Sequence, residues 1–234
     1  MKCSVILPCY NEAKGLPALL ARYAEARGDL DLEVICVDNG SRDQTPAVLA
    51  ALMAIYPWAR SIRVEPNRGY GDGLFQGLRL ADREWLAWSH ADLQTDPGDV
   101  VIAFRALAAS ADPQRTLIKG LRQGRAFKDQ IITWGMQAVA LVTLRGWYRQ
   151  INAQPKAFHR DLLGHLAQPP VDFNFDIYVL YQAHRHGWRT STIPVLFPPR
   201  PHGVSNWAST WRSKVRTIRS SIWFMTKLGL GRHR

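Results

Sequence analysis

Four times between residues 4 and 109 the chain runs through the same succession: a short apolar stretch, a polar loop, then a helix-like segment. The apolar stretches are residues 4–7, 33–37, 61–64 and 85–88. Such alternation predicts a parallel, doubly wound α/β sheet, because a parallel neighbour is reached only through a crossover. In these sheets the carboxyl ends of the strands gather the ligand-binding loops. Here those loops carry Pro8, Tyr10, Asn11 and Glu12; Asp38, Asn39 and Gly40; Asn67, Gly69 and Gly71; and His90, Ala91, Asp92 and Gln94. The glycines at 69, 71 and 73 lack the Gly-x-Gly-x-x-Gly spacing, so a dinucleotide fingerprint is not supported.

Asp92 and Gln94 lie two residues apart, which in an extended segment puts a carboxylate and an amide carbonyl on one side. That pair suits a hard divalent cation, Mg²⁺ or Mn²⁺, shared with phosphate oxygens. The same turn is also a helix start, with Asp96 expected to cap a helix opened by Pro97.

Beyond residue 109 the pattern loosens. Residues 116–119, 156–158 and 189–197 read as strands and 173–184 as a helix in which Asp176 is the one acid. A basic loop carries Lys119, Arg122, Arg125 and Lys128. Residues 131–144 are uncharged but too short for a span, which needs about 20 residues. No signal peptide is visible, and Cys3, Cys9 and Cys36 fall in apolar runs without metal-ligand spacing, which predicts core thiols of a cytoplasmic protein.

Charge divides the chain. Residues 1–117 hold 12 Lys+Arg against 15 Asp+Glu, a net of −3, and residues 118–234 hold 18 against 4, a net of +14, giving the overall +11. The second half therefore expects an anionic partner: phosphate, lipid head groups or nucleic acid. Its tail is periodic, with Trp207, Trp211, Val215, Ile218, Ile222 and Met225 on one helical face and Arg212, Lys214, Arg216 and Arg219 largely off it. Basic residues beside tryptophan suit a helix lying in a membrane interface; the plainer reading is a helix packed on the domain. The expected division is a catalytic domain over residues 1–204 and a basic amphipathic tail over 205–234.

Taken together, the runs 5–12 (Val-Ile-Leu-Pro-Cys-Tyr-Asn-Glu), 37–45 (Val-Asp-Asn-Gly-Ser-Arg-Asp-Gln-Thr), 67–71, 90–97 and 151–158 resemble glycosyltransferase family 2, in its polyprenyl-phosphate, dolichyl-phosphate mannosyltransferase-like branch. The resemblance implies a GT-A fold, a Rossmann-like, mostly parallel sheet flanked by helices. It also implies a GDP- or UDP-sugar donor, a divalent metal and inversion at the anomeric carbon. By that resemblance Pro8, Tyr10, Asn11, Glu12, Asp38, Asn39, His90, Ala91 and Asp92 surround the nucleotide sugar, and Asp92 and Gln94 hold the metal on its diphosphate. The sequence departs from the family twice: His90 stands where the first Asp of Asp-x-Asp is usual, and Asn206 replaces the Lys that follows Arg200-x-x-Gly203-x-Ser205.

A phosphate monoester, with a second pKa of about 6, attacks without a general base, whereas a sugar hydroxyl needs one. The acid-poor, basic second half therefore favours a polyprenyl phosphate acceptor, contacted by Lys119, Arg122, Arg125, Arg200 and Ser205, at the inner face of a membrane. Asp176 is the candidate base or acceptor-orienting group, or else a pairing carboxylate near Arg185. It would become essential if the acceptor were a sugar hydroxyl. A nucleic-acid-binding protein would use the same basic half, but it leaves Asp92, Gln94 and the strand-end loops unexplained.

Overall fold

The computed structural model describes residues 1–124, 127–198 and 211–231. Its strands are β1 (Lys2–Cys9), β2 (Asp31–Asp38), β3 (Ala59–Arg63), β4 (Trp85–Trp88), β5 (Thr116–Gln123), β6 (Lys156–His159) and β7 (Arg189–Leu196). Its helices are α1 (Leu16–Ala26), α2 (Thr45–Ile55), α3 (Tyr70–Leu80), α4 (Pro97–Ala108), α5 (Phe127–Leu144), α6 (Phe175–Arg185) and α7 (Trp211–Gly229). Single 3₁₀ segments precede β5 and follow β6.

One seven-stranded sheet runs in the order β3-β2-β1-β4-β6-β5-β7. Every strand points the same way except β6, which is antiparallel to both β4 and β5. The central strands are buried on both faces, which is why β1, β2 and β4 read as nearly continuous apolar runs. Two apolar clusters flank the sheet. Leu16, Leu20, Leu49 and Phe104 of α1, α2 and α4 fill one, and Leu74, Ala140, Phe175 and Phe224 of α3, α5, α6 and α7 fill the other.

Gly77 brings α3 close to the sheet, since a Cβ there would stand 2.7 Å from the Cγ2 atoms of Ile6 and Val37. The reversal at β6 gives the site its shape. The chain entering β6, residues 149–155, reaches the same sheet edge as the carboxyl ends of β4 and β5.

On α7 the buried side chains are Phe224, Met225 and Leu228, which join Ala140 and Leu144 of α5 in one cluster. Among the described members of the stripe expected from spacing only Met225 is fully buried, whereas Val215 and Ile222 are exposed. Apolar residues lie on most sides of this helix, so spacing identified a stripe but not the one that meets the protein. The side chain of Trp211 and all of Trp207 lie outside the described residues. No helix among the described residues is long and apolar enough to cross a membrane.

Candidate active site

The loops after β1 and β2 are stitched together by their own polar side chains. Asn11 adopts a left-handed backbone (φ 57°), its N–H donates to Ser41 Oγ (3.0 Å), and its Oδ1 accepts from Arg42 N (2.8 Å). Glu12 N donates to Thr45 Oγ1 (2.9 Å). Asp38 is buried: Oδ1 accepts from Ser41 N (2.9 Å) and Oδ2 pairs with Arg63 Nη1 (2.7 Å). Asn39 Nδ2 donates to Gly69 O (2.8 Å), which ties the β2 loop to the loop before α3. Asp38 and Asn39 thus use most of their polar capacity on the scaffold, and what they leave to a ligand is the Asp38–Arg63 pair and the buried, unpartnered Oδ1 of Asn39. Pro8, Tyr10 and Glu12 are partly exposed around them.

The turn after β4 differs from the extended segment expected. Leu93 has a positive φ (61°), and Gln94 N donates to Asp92 Oδ1 (3.1 Å), so residues 92–94 form a tight turn. Strand alternation is therefore not what brings Asp92 and Gln94 together. Gln94 Nε2 donates to Pro198 O (3.0 Å), which holds the chain after β7 against this turn. Asp96 caps α4 as expected, accepting from Gly98 N (2.7 Å), and it also meets Arg22 (2.5 Å).

The His90 and Phe197 ring centroids are 5.8 Å apart, and His90 Nε2 is buried with no hydrogen-bond partner among the described residues. Burial pushes its pKa down to about 4 against the opposing pull of Asp92, so the imidazole is neutral at physiological pH. The His90 nitrogen, the Asp92 carboxylate and the Gln94 amide oxygen are ligand types that a divalent cation such as Mn²⁺ or Mg²⁺ accepts.

Beneath this turn lies a buried polar network. Lys156, fully buried at the start of β6, pairs with Asp176 Oδ1 in the first turn of α6, donates to Ala153 O (3.2 Å) and stands 5.3 Å over the Trp88 ring. Gln154 Nε2 donates both to Asp176 Oδ1 (3.1 Å) and to Tyr70 Oη (3.0 Å). Burial lowers the proton affinity of Lys156, and Asp176 opposes that shift; burial, then Asp176, raises the pKa of Tyr70. Asp176 is only 2% exposed, so it is neither a surface acid nor the partner of Arg185 but the counter-ion of Lys156. A sequence signal for this existed and was missed: a lone Lys in the strand 156–158 and a lone Asp in the apolar helix 173–184 are opposite charges in two buried elements.

Lys119 also departs from expectation. It is buried, and Nζ faces three carbonyl oxygens, Gly120 (3.1 Å), Arg149 (2.8 Å) and Gln150 (3.0 Å). Burial pushes its pKa down to about 6. Its head group thus anchors residues 149–150 rather than meeting a phosphate, because carbonyl oxygens already occupy its donor directions.

Arg122 does reach the site edge. Its guanidinium stacks 4.0 Å over Phe197 and donates to Asn152 O, while its N–H donates to Gln150 Oε1 (2.8 Å). It opens onto a polar pocket of about 220 Å³ lined by Gln130, Thr133, Trp134, Gln137, Arg149 and Gln150. Arg125, Arg200, Ser205 and Asn206 lie outside the described residues.

An uncharacterized glycosyltransferase of Mycobacterium tuberculosis (strain ATCC 25618 / H37Rv) is 27% identical over 223 residues, 92% of this chain and 94% of that protein. An undecaprenyl-phosphate 4-deoxy-4-formamido-L-arabinose transferase of Sodalis glossinidius is 35% identical over 128 residues, 53% of this chain and 38% of its own length. Among solved structures, glucosyl-3-phosphoglycerate synthase from Mycobacterium tuberculosis, in complex with Mn²⁺, UDP and glucosyl-3-phosphoglycerate, superposes with a TM-score of 0.75. That match covers 98% of this chain and 80% of the other at 18% identity, and it shows the shared fold. The pattern of "Glycosyl transferase family 2" matches residues 4–134, more than half of the sequence, and the chain belongs to that family.

Proposed function

We propose that this chain transfers a hexose from a nucleotide diphosphate sugar to the phosphate of a polyprenyl phosphate. The observation that carries the reading is the distribution of charge at the β5–β6 edge. Among the described residues the pocket there is lined by Arg122 and Arg149 and by no acid, and the nearby buried acid Asp176 is held by Lys156. An acceptor edge whose described acid is already paired suits an acceptor that is already ionised. The undecaprenyl-phosphate transferase relative supports a lipid phosphate. The phosphoglycerate-using structural neighbour supports an anionic acceptor of another kind, a soluble phosphorylated acid.

The donor would lie over the loops after β1, β2 and β4. Tyr10 and the Asp38–Arg63 pair would receive the nucleoside, and Asp92, Gln94 and His90 would face the diphosphate. A bound Mg²⁺ or Mn²⁺, held by Asp92 and Gln94, would supply positive charge for the leaving diphosphate. Arg122 would orient the acceptor phosphate, one of whose oxygens attacks the anomeric carbon as the bond to the nucleoside diphosphate breaks. No proton need be removed in that step, and inversion follows from attack opposite the leaving group.

Incubating the chain and Mn²⁺ with UDP- or GDP-hexoses and either a short-chain prenyl phosphate or 3-phosphoglycerate tests the reading. Release of nucleoside diphosphate only with the prenyl phosphate is the expected result. Turnover with phosphoglycerate alone replaces the acceptor, and turnover only with a sugar hydroxyl returns Asp176 to the role of base.

A further inference from the structure

Two helices at one side of the molecule carry an apolar surface that nothing among the described residues covers. Eight of the seventeen large hydrophobic side chains exposed among the described residues lie on α5 and α7, and two more, Trp147 and Leu230, lie just past their ends. On α5 they form a stripe at helical spacing, Ile131, Trp134, Leu141 and Val142, with Trp134 53% and Val142 79% exposed. On α7 the exposed members are Val215, Ile222 and Trp223, the last 60% exposed. The helices pack side by side: Gly229 lies so close to α5 that a Cβ there would meet Thr143 O. Large apolar side chains exposed singly are ordinary, but their gathering on two adjoining helices marks a surface with a partner.

The charges around the surface say which partner. Arg145 just past α5 and Arg216 and Arg219 on α7 are exposed, and Lys227 Nζ sits 3.9 Å over the Trp223 ring. α7 carries no acid and α5 carries only Asp129, in its first turn. Apolar and tryptophan side chains interleaved with arginine, over two adjoining helices without opposing acids, match a bilayer interface bearing anionic head groups.

We propose that the outer faces of α5 and α7 together are a docking surface for an anionic lipid bilayer. Trp134 belongs both to the exposed stripe and to the lining of the Arg122–Arg149 pocket. A bilayer seated on the stripe therefore sets the pocket mouth at the level of the head groups, where a lipid-borne phosphate enters it without leaving the membrane. The docking rests on the surface itself; only this last consequence rests on the acceptor proposed above.

The test is co-sedimentation of the full chain with phosphatidylcholine vesicles with and without phosphatidylglycerol. Binding that requires phosphatidylglycerol and weakens with salt is expected. Val142→Glu and Trp223→Glu should each weaken it at least tenfold with unchanged Tm and unchanged nucleotide-diphosphate binding, whereas Ile102→Glu, at an exposed apolar position on α4, should not. Absence of vesicle binding, equal effects of all three changes, or a dimer in solution that Val142→Glu dissociates would each overturn the inference, the last by showing a second copy of the chain as the partner. Transfer to a water-soluble prenyl phosphate separates the two proposals. If it occurs without vesicle binding, the surface fails alone; if vesicle binding stands without such transfer, the acceptor fails alone and the surface stands.

Discussion

A lysine with no solvent exposure persists only where its charge is answered, and Asp176 is what answers Lys156. Removing one partner strands the other, so Asp176→Leu should destabilise by about 3–5 kcal/mol in chemical denaturation, and Lys156→Met by less. The double variant Lys156→Met/Asp176→Leu should recover most of that loss and part of the transfer activity, since both charges leave together. A double variant as stable as wild type yet wholly inactive would make Asp176 a base after all. Asp92 is different, because its carboxylate lies partly exposed in the turn after β4. Asp92→Asn should keep Tm and lower kcat by about 10²-fold or more, the usual cost of losing one electrostatic stabiliser at a reacting centre. His90 adds a pH dependence. Its folded pKa is about 4 against an ordinary 6.5, so between those values the unfolded chain holds more protons and stability falls as pH drops. His90→Asn should flatten that part of a Tm-versus-pH profile.

Among elements, β6 has the largest consequence for the site, and the sequence read it only as a short strand. Its reversed direction makes residues 149–155 a wall of the site, and Lys119, Gln150 and Gln154 hold that wall by hydrogen bonds to β5 and α6. Gly120 sets how close it comes: its N–H donates to Pro155 O (2.8 Å), and a Cβ there would stand 2.0 Å from Gln154 O. Gly120→Ala should therefore cost about 1–3 kcal/mol or more by overpacking. Because the displaced backbone borders the Arg122 pocket, the same variant should raise the acceptor KM more than it changes nucleotide-diphosphate affinity. Equal changes in both would place the wall on the donor side.

At the scale of the whole molecule, α7 is both core and surface. Phe224, Met225 and Leu228 are buried, and side chains of that size contribute about 1.5–3 kcal/mol each when fully removed from water. A chain ending near residue 204, the expected end of the catalytic domain, should melt well below the full chain or fail to fold; an unchanged Tm would show that α7 adds nothing to the core. The parallel sheet, the strand-end loops and the family were legible in the sequence because they depend on local period and on residue types at fixed spacing. The tail's amphipathic character was legible for the same reason. Tertiary structure alone decided that Lys119 is an anchor, that Asp176 answers Lys156 rather than Arg185, and that one side of α7 is buried while another stays exposed beside α5. Each of these joins residues from separate elements, Lys119 to Arg149 or Lys156 to Asp176, and a pattern read along the chain specifies which residues share a face but not which face another element covers.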